Sequence, residues 1–236
     1  MKIEREELSR ISSAPWFEAM QNVDVDIIGL GGIGSYACFA LSRLGVKSMN
    51  IFDGDVIEKV NMTGQLFSIN NIGDTKSKTM SNFVKQYSNF YANSYGHFLF
   101  DEYPMGKVVI CAVDSMEVRK NAFNTWKKFN LTPEGTLIDK NSIFIDGRLA
   151  AESLQILSID SIEDIAMYEK DYLFDDSEAD EVICSYKQTT YSAMLIGGLI
   201  GNIVVNFVYN NTIGKFRTLP FYTSYECETM KIERTF

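Results

Sequence analysis

The stretch Val25 to Asp53, VDIIGLGGIGSYACFALSRLGVKSMNIFD, constrains the chain more than any other. An apolar run, Val25 to Ile28, enters a cluster of Gly29, Gly31, Gly32 and Gly34. Ile33, Tyr36, Ala37, Ala40, Leu41 and Leu44 then recur at helical spacing, and a second apolar run ends in Asp53. This order predicts strand, glycine turn, helix and strand, the unit that cradles an adenine nucleotide. Gly29 permits the tight turn. Gly31 and Gly32 let backbone N–H groups approach phosphate, and Gly34 lets the helix pack close to the strand. The helix N-terminus supplies unpaired donors and partial positive charge. Asp53 stands where a carboxylate can accept from ribose hydroxyls. A tight turn with no ligand is the other reading.

Residues 52–65 read FDGDVIEKVNMTGQ, 72–78 read IGDTKSK and 112–121 read AVDSMEVRKN. Together they resemble the ThiF/MoeB/HesA family of adenylyltransferases, which are similar to ubiquitin-activating enzymes. Asp53, Asp55, Val56, Asn61 and Gln65 match that family's D-x-D-x-V-x-x-S-N-L-x-R-Q element in register. Gly73 and Lys76 match its G-x-x-K, and Asp114 and Arg119 match its acid and arginine. The resemblance implies a Rossmann-like α/β fold and activation of a C-terminal carboxylate by attack on the α-phosphate of ATP. It further implies that Lys76 neutralises phosphate charge, Asp114 holds Mg²⁺, Asn61 and Gln65 orient the triphosphate or the metal's waters, and Asp53 holds the ribose. A substrate carboxylate is already ionised, so the chemistry asks for alignment and charge cancellation rather than a general base. A single histidine, His97, suits that reaction. Taken alone, Lys76 also reads as a solvated helix lysine and Asp114 as a helix N-cap.

The chain departs from the family at Gly64, where the family's triphosphate-contacting arginine would stand. Losing that side chain removes a charge-assisted contact. Arg10 of a second subunit, loosely like the family's N-terminal arginine, is expected to compensate in part; a weakened enzyme, kept as a nucleotide- or partner-binding protein, is the alternative.

With 236 residues and 46% hydrophobic content, the chain is long enough for one large core. A net charge of −9 speaks against a nucleic-acid partner. Cys38, Cys111, Cys184 and Cys227 form no C-x-x-C pair, so the paired zinc cysteines of many relatives are not expected. Cys38 and Cys111 fall inside predicted elements and read as inert core residues. The charged start, MKIEREELSR, lacks a signal-peptide pattern, and a reducing cytoplasm is expected. The apolar run 193–209 reads as a buried helix, interrupted by Asn202 and Asn206, rather than a membrane span. Its glycines would admit another helix, as across a dimer.

Helices are predicted over 1–20, 32–44, 75–91, 115–129 and 188–209, and strands over 23–29, 47–52, 95–100, 107–112, 143–147 and 148–159. A strand pair follows in 214–234. The alternation gives a mostly parallel sheet with flanking helices and an antiparallel C-terminal extension. It is read as a single domain whose residues 1–140 bind nucleotide and whose residues 141–236 dock the carrier. Acidic residues crowd 160–181, which reads as a solvated loop or a mobile crossover. DGRLAAES at 146–153 places Asp146, Arg148 and Glu152 either along a substrate-tail channel, with Arg148 holding substrate, or in a structural ion pair. Cys184, just before a helix, is the candidate acceptor for an acyl group, or an ordinary cysteine. The implied function is ATP- and Mg²⁺-dependent adenylation of the C-terminal carboxylate of a ubiquitin-like carrier protein or peptide by a homodimer without zinc or a membrane. An NAD(P)-linked oxidoreductase is a further alternative, with Asn61, Gln65, Lys76 and Asp114 against it.

Overall fold

Apolar side chains that alternate along the central strands divide the protein into two layers on either side of one sheet. In β1 (Asp24–Ile28), Val25 and Ile27 face one core and Ile28 faces the other. β4 (Val108–Cys111) and β5 (Ile143–Ala150) repeat the alternation, with Ile110 and Ile145 on the first side and Val109 and Phe144 on the second. Successive residues of a strand point to opposite faces, so a strand covered on both sides reads as continuously apolar. The computed structural model describes residues 8–97, 104–132, 136, 142–174, 188–214 and 216–236.

The eight strands run in the order β3-β2-β1-β4-β5-β6-β7-β8. β2 is Ser48–Phe52 and β3 is Asn93–Tyr95; β1 to β5 pair in parallel. β6 (Ser153–Ile159), β7 (Tyr222–Glu226) and β8 (Lys231–Thr235) continue the sheet antiparallel. This is the predicted architecture, a Rossmann-like parallel sheet with an antiparallel extension. Strand order reverses between β1 and β4, which opens a crevice at their carboxyl ends.

On the first side lie the short α1 (Phe17–Met20), then α2 (Gly32–Arg43), α3 (Lys76–Ser88) and α6 (Thr190–Ile213). α4 (Met116–Asn130) and α5 (Ile162–Asp171) cover the second. Phe123, Trp126, Phe144 and Tyr168 are fully buried there, each worth roughly 1.5–3 kcal/mol or more of transfer free energy. α6 is long and apolar enough to cross a membrane, but 61% of its apolar window is buried inside the protein. Gly197 and Gly201 meet α2 of the same chain, while Gly198 is exposed. A β-carbon on Gly197 would stand 2.6 Å from Tyr36 Cβ and 2.9 Å from the Ala37 nitrogen.

Three sequence expectations change. The helix expected over 1–20 is, among the described residues, only Phe17–Met20, preceded by turns. Residues 162–171 of the acidic stretch form α5, because Ser161 accepts from the Asp164 N–H as an N-cap while Ile165 and Tyr168 are buried. The strand expected over 148–159 is broken at Ala151, whose φ of 56° makes a hairpin between β5 and β6.

Asp160 precedes α5, and burial, with the charge and hydrogen bonding of Asp164, pushes its carboxyl up from 3.8 to about 6. The folded protein thus holds this proton more tightly than the unfolded chain. Its contribution to stability is fully present below about pH 3.8 and is lost as pH rises past about 6. Asp160→Asn should therefore gain on wild type in urea midpoint as pH rises across that window; parallel curves would contradict the linkage. Gly197→Ala should cost about 1–3 kcal/mol in the same assay, because α6 must move off α2.

Candidate functional site

The crevice at the strand reversal is a cavity of about 470 Å³, a size that suits a small-molecule site. The glycine turn forms its floor. Gly29 has a φ of 86°, and its N–H donates to Phe52 O at 2.9 Å, while the Ala112 N–H donates to Ile28 O at 2.8 Å. The turn is thus fixed between β2 and β4. A β-carbon on Gly34 would fall 1.8 Å from Gly29 O, so the start of α2 lies directly on the strand end. Gly34 supports the cavity from behind; Gly29, Gly31 and Gly32 line it. Asp53, at the end of β2, also lines it and accepts from the Leu30 N–H at 2.7 Å and the Asp55 N–H at 2.9 Å. Burial holds its carboxyl above the usual range, opposed by those two donors and the charge of Lys76.

The loop after Asp53 is pinned along its length. Asn61 Oδ1 accepts from the Glu58 N–H at 2.8 Å, closing a 3-10 turn over Lys59–Thr63. The Leu66 N–H donates to Ser35 Oγ of α2 at 3.1 Å, and Thr190 Oγ1 of α6 donates to Thr63 O at 2.6 Å. Gln65 lines the cavity beside Gly31. Its Oε1 is buried with no hydrogen-bond partner among the described residues, an acceptor that suits a ligand's donor. Lys76, the first residue of α3, is 6% exposed, and its ammonium donates to Asp55 Oδ2 at 2.8 Å across the cavity wall. Asn61 lies in the turn outside the cavity lining.

The opposite wall carries a buried charge cluster. Asp146 in β5 is fully buried and accepts from Arg119 Nε at 2.8 Å, Arg148 Nε at 2.8 Å and Tyr168 Oη at 2.9 Å. Arg119 comes from α4 and also donates to Val113 O, while Arg148 donates to Tyr172 O. Burial disfavours the Arg119 cation, but Asp146, aided by Cys111 and Tyr168, more than offsets this and holds the guanidinium above its ordinary range. Two cations against one anion leave this wall net positive, and both arginines line the cavity. Of the three charged DGRLAAES residues, Arg148 alone lines the cavity, together with its neighbours Gly147 and Leu149. Asp146 sits beneath it in the ion-pair role, and Glu152 accepts from Tyr191 Oη of α6.

Asp114 follows β4, is exposed and lines the cavity. The N-cap of α4 is Ser115, whose Oγ accepts from the Val118 N–H at 3.3 Å, rather than Asp114. Among the described residues no group of three or more metal-ligating side chains is present. One exposed carboxylate in the cavity that the glycine turn floors would nonetheless fit Mg²⁺ if phosphates were bound there, because that ion binds through one or two carboxylates together with substrate phosphates. Cys38 and Cys111 are buried, with thiols pushed up to about 12 chiefly by that burial. Cys184 lies outside the described residues.

Sequence reasoning did not single out Gln188 or Phe174, which line the cavity, nor Tyr168 beneath it. Spacing gives no sign of Gln188; it arrives from the far end of the chain. Asp146→Asn, which strands Arg119 without its anion, should cost about 3–5 kcal/mol in urea unfolding, and Tyr168→Phe about 1 kcal/mol. Equal, small effects would show that the cluster is not coupled.

A family profile described as the ThiF family matches residues 5–235. Ubiquitin-like modifier-activating enzyme 5 of Dictyostelium discoideum is 43% identical over 65 residues, taking in 28% of this chain and 16% of the relative. The chain thus matches less than a fifth of that relative's length. Among solved structures, E. coli MccB with AMPCPP and MccA has a TM-score of 0.70 at 16% identity, covering 99% of this chain and 72% of that one. E. coli MccB with ATP has a TM-score of 0.67 at 16% identity, covering 93% and 65%.

Proposed function

This chain belongs to the ThiF family, and we propose that it is an ATP-dependent adenylyltransferase acting on the C-terminal carboxylate of a ubiquitin-like carrier protein or peptide. The observation that carries the reading is the convergence, in one crevice, of the glycine turn, the buried Lys76 ammonium, Asp114 and the positive Arg119–Arg148 wall. Support comes also from what the relatives are: a ubiquitin-like modifier-activating enzyme, and MccB crystallised with ATP and with MccA. Membership of the ThiF family replaces the oxidoreductase alternative.

In this reaction a carboxylate oxygen bonds to the α-phosphorus, the bond from that phosphorus to the bridging oxygen breaks, and pyrophosphate leaves with the electron pair. The nucleophile is ionised before it arrives, so no proton has to be removed. The amides at Gly31 and Gly32 meet phosphate oxygens at the start of α2. Lys76 offsets charge as pyrophosphate forms, and Asp55 holds the ammonium in place meanwhile. Asp53, which lines the cavity, accepts from the ribose. Arg148 meets the incoming acyl chain. Asp114 and the phosphates would hold Mg²⁺, which supplies further charge neutralisation when bound. The Cys184 thiolate then attacks the acyl carbon, the bond from that carbon to the phosphate oxygen breaks, and AMP leaves with the electron pair to give a thioester; Arg10 of a second copy in a homodimer adds a cation.

The test is ATP–pyrophosphate exchange with a carrier ending in Gly-Gly, against the same carrier amidated at its C-terminus. Exchange with the free carboxylate alone is the expected result, reduced roughly 10²-fold or more by Lys76→Ala. A protein that binds carrier and nucleotide yet gives no exchange would be the non-enzymatic relative that Gly64 suggests. Exchange indifferent to amidation would contradict the carboxylate as nucleophile.

A further inference from the structure

Gly64 and Gly32 face the same side chain. A β-carbon on Gly64 would stand 2.6 Å from Gln188 Cγ and 2.8 Å from its Nε2; one on Gly32 would stand 2.1 Å from Gln188 Oε1. The Gln188 carboxamide is therefore wedged between the loop at Gly64 and the first residue of α2, inside the cavity. Its backbone is held on both sides. Gln188 bridges Ala151 of the β5–β6 hairpin, and the following Thr189 caps α6 by accepting from the Ser192 N–H. Thr190 ties the same strap to Thr63. A polar group carried on this rigid frame, over a helix N-terminus, acts on whatever anion that terminus binds.

Resting on the adenylation reading, the geometry points to Gln188 as a triphosphate-positioning residue that works in the space Gly64 leaves free. Its Oε1 lies against Gly32, where a phosphate oxygen would approach the start of α2. A phosphate oxygen entering that position displaces Oε1, and rotation of the amide about its last torsion brings Nε2–H onto the phosphate. A carboxamide can do both because it carries an acceptor and a donor on one planar group. Any side chain at 64 forces Gln188 away, so the two positions act as a unit. The absent side chain at 64 is then the condition for a neutral donor to reach the phosphates, rather than a loss of function.

Titration calorimetry of ATP and of adenosine, with wild type, Gln188→Met, Gln188→Glu and Gly64→Ala, tests this. Gln188→Met should weaken ATP about tenfold, the worth of a hydrogen bond to a charged group, and leave adenosine within about twofold. Gln188→Glu should weaken ATP by roughly 10²-fold while raising the melting temperature without nucleotide, since a carboxylate at a helix N-terminus is favourable there. Gly64→Ala should weaken ATP in wild type but not in a Gln188→Ala background. Equal loss for ATP and adenosine, or additive effects at 64 and 188, would reduce Gln188 to packing and overturn the inference. Wild-type protein that binds adenosine and ATP equally would overturn it too, and wild type that binds neither would instead overturn the adenylation reading.

Discussion

Backbone laid on backbone governs this structure. The start of α2 rests on the end of β1 with no side chain between them, since a β-carbon on Gly34 would fall 1.8 Å from Gly29 O. That contact aims the helix N-terminus into the crevice where strand order reverses. The other parts of the site are placed relative to it. Asp53 reaches back to the Leu30 amide, Ser35 of α2 accepts from Leu66 in the following loop, and Gln188 fills the space over Gly32. A side chain at position 34 would move α2, and with it the loop, Gln65 and the anion position together.

A second constraint joins the two halves of the chain. Asp146 is the point at which α4, α5 and the end of β5 meet, and it binds one side chain from each. A fully buried carboxylate is tolerated only when its lone pairs are satisfied. Here three donors do so, and two of them are cations whose outer surfaces line the cavity. The cluster thus serves packing and electrostatics at once: it closes the second core and leaves the cavity wall positive without a lysine exposed to solvent. Glu152 shows the other outcome for a nearby charge, turned away to receive Tyr191 of α6.

Local chemistry was legible in the sequence and distant adjacency was not. The glycine turn, the buried α2, the ends of β1, β2 and β4, and the acid at 53 follow from periodicity and spacing, because each is specified within about thirty residues, whereas Asp114 was singled out by the family resemblance. α5 was hidden by its acidic residues, although Ile162, Ile165 and Tyr168 keep helical spacing and Ser161 offers a cap. The role of Asp146 could be read only as one of two alternatives, since its partners lie on three separate elements. Gln188 left no signal at all. Its meaning comes from Gly64, far away in the chain, and exists only once α6 is laid across α2. Gly197 and Gly201 of α6, in a run legible as a site of close approach, serve that same packing within one chain.

The direct measurement is a crystal structure of the wild-type protein with a non-hydrolysable ATP analogue. The account predicts the phosphates over the Gly31 and Gly32 amides, Lys76 Nζ within hydrogen-bond distance of a phosphate oxygen, and the ribose against Asp53. A nucleotide bound away from the glycine turn, or with its phosphates directed out of the crevice, would contradict it.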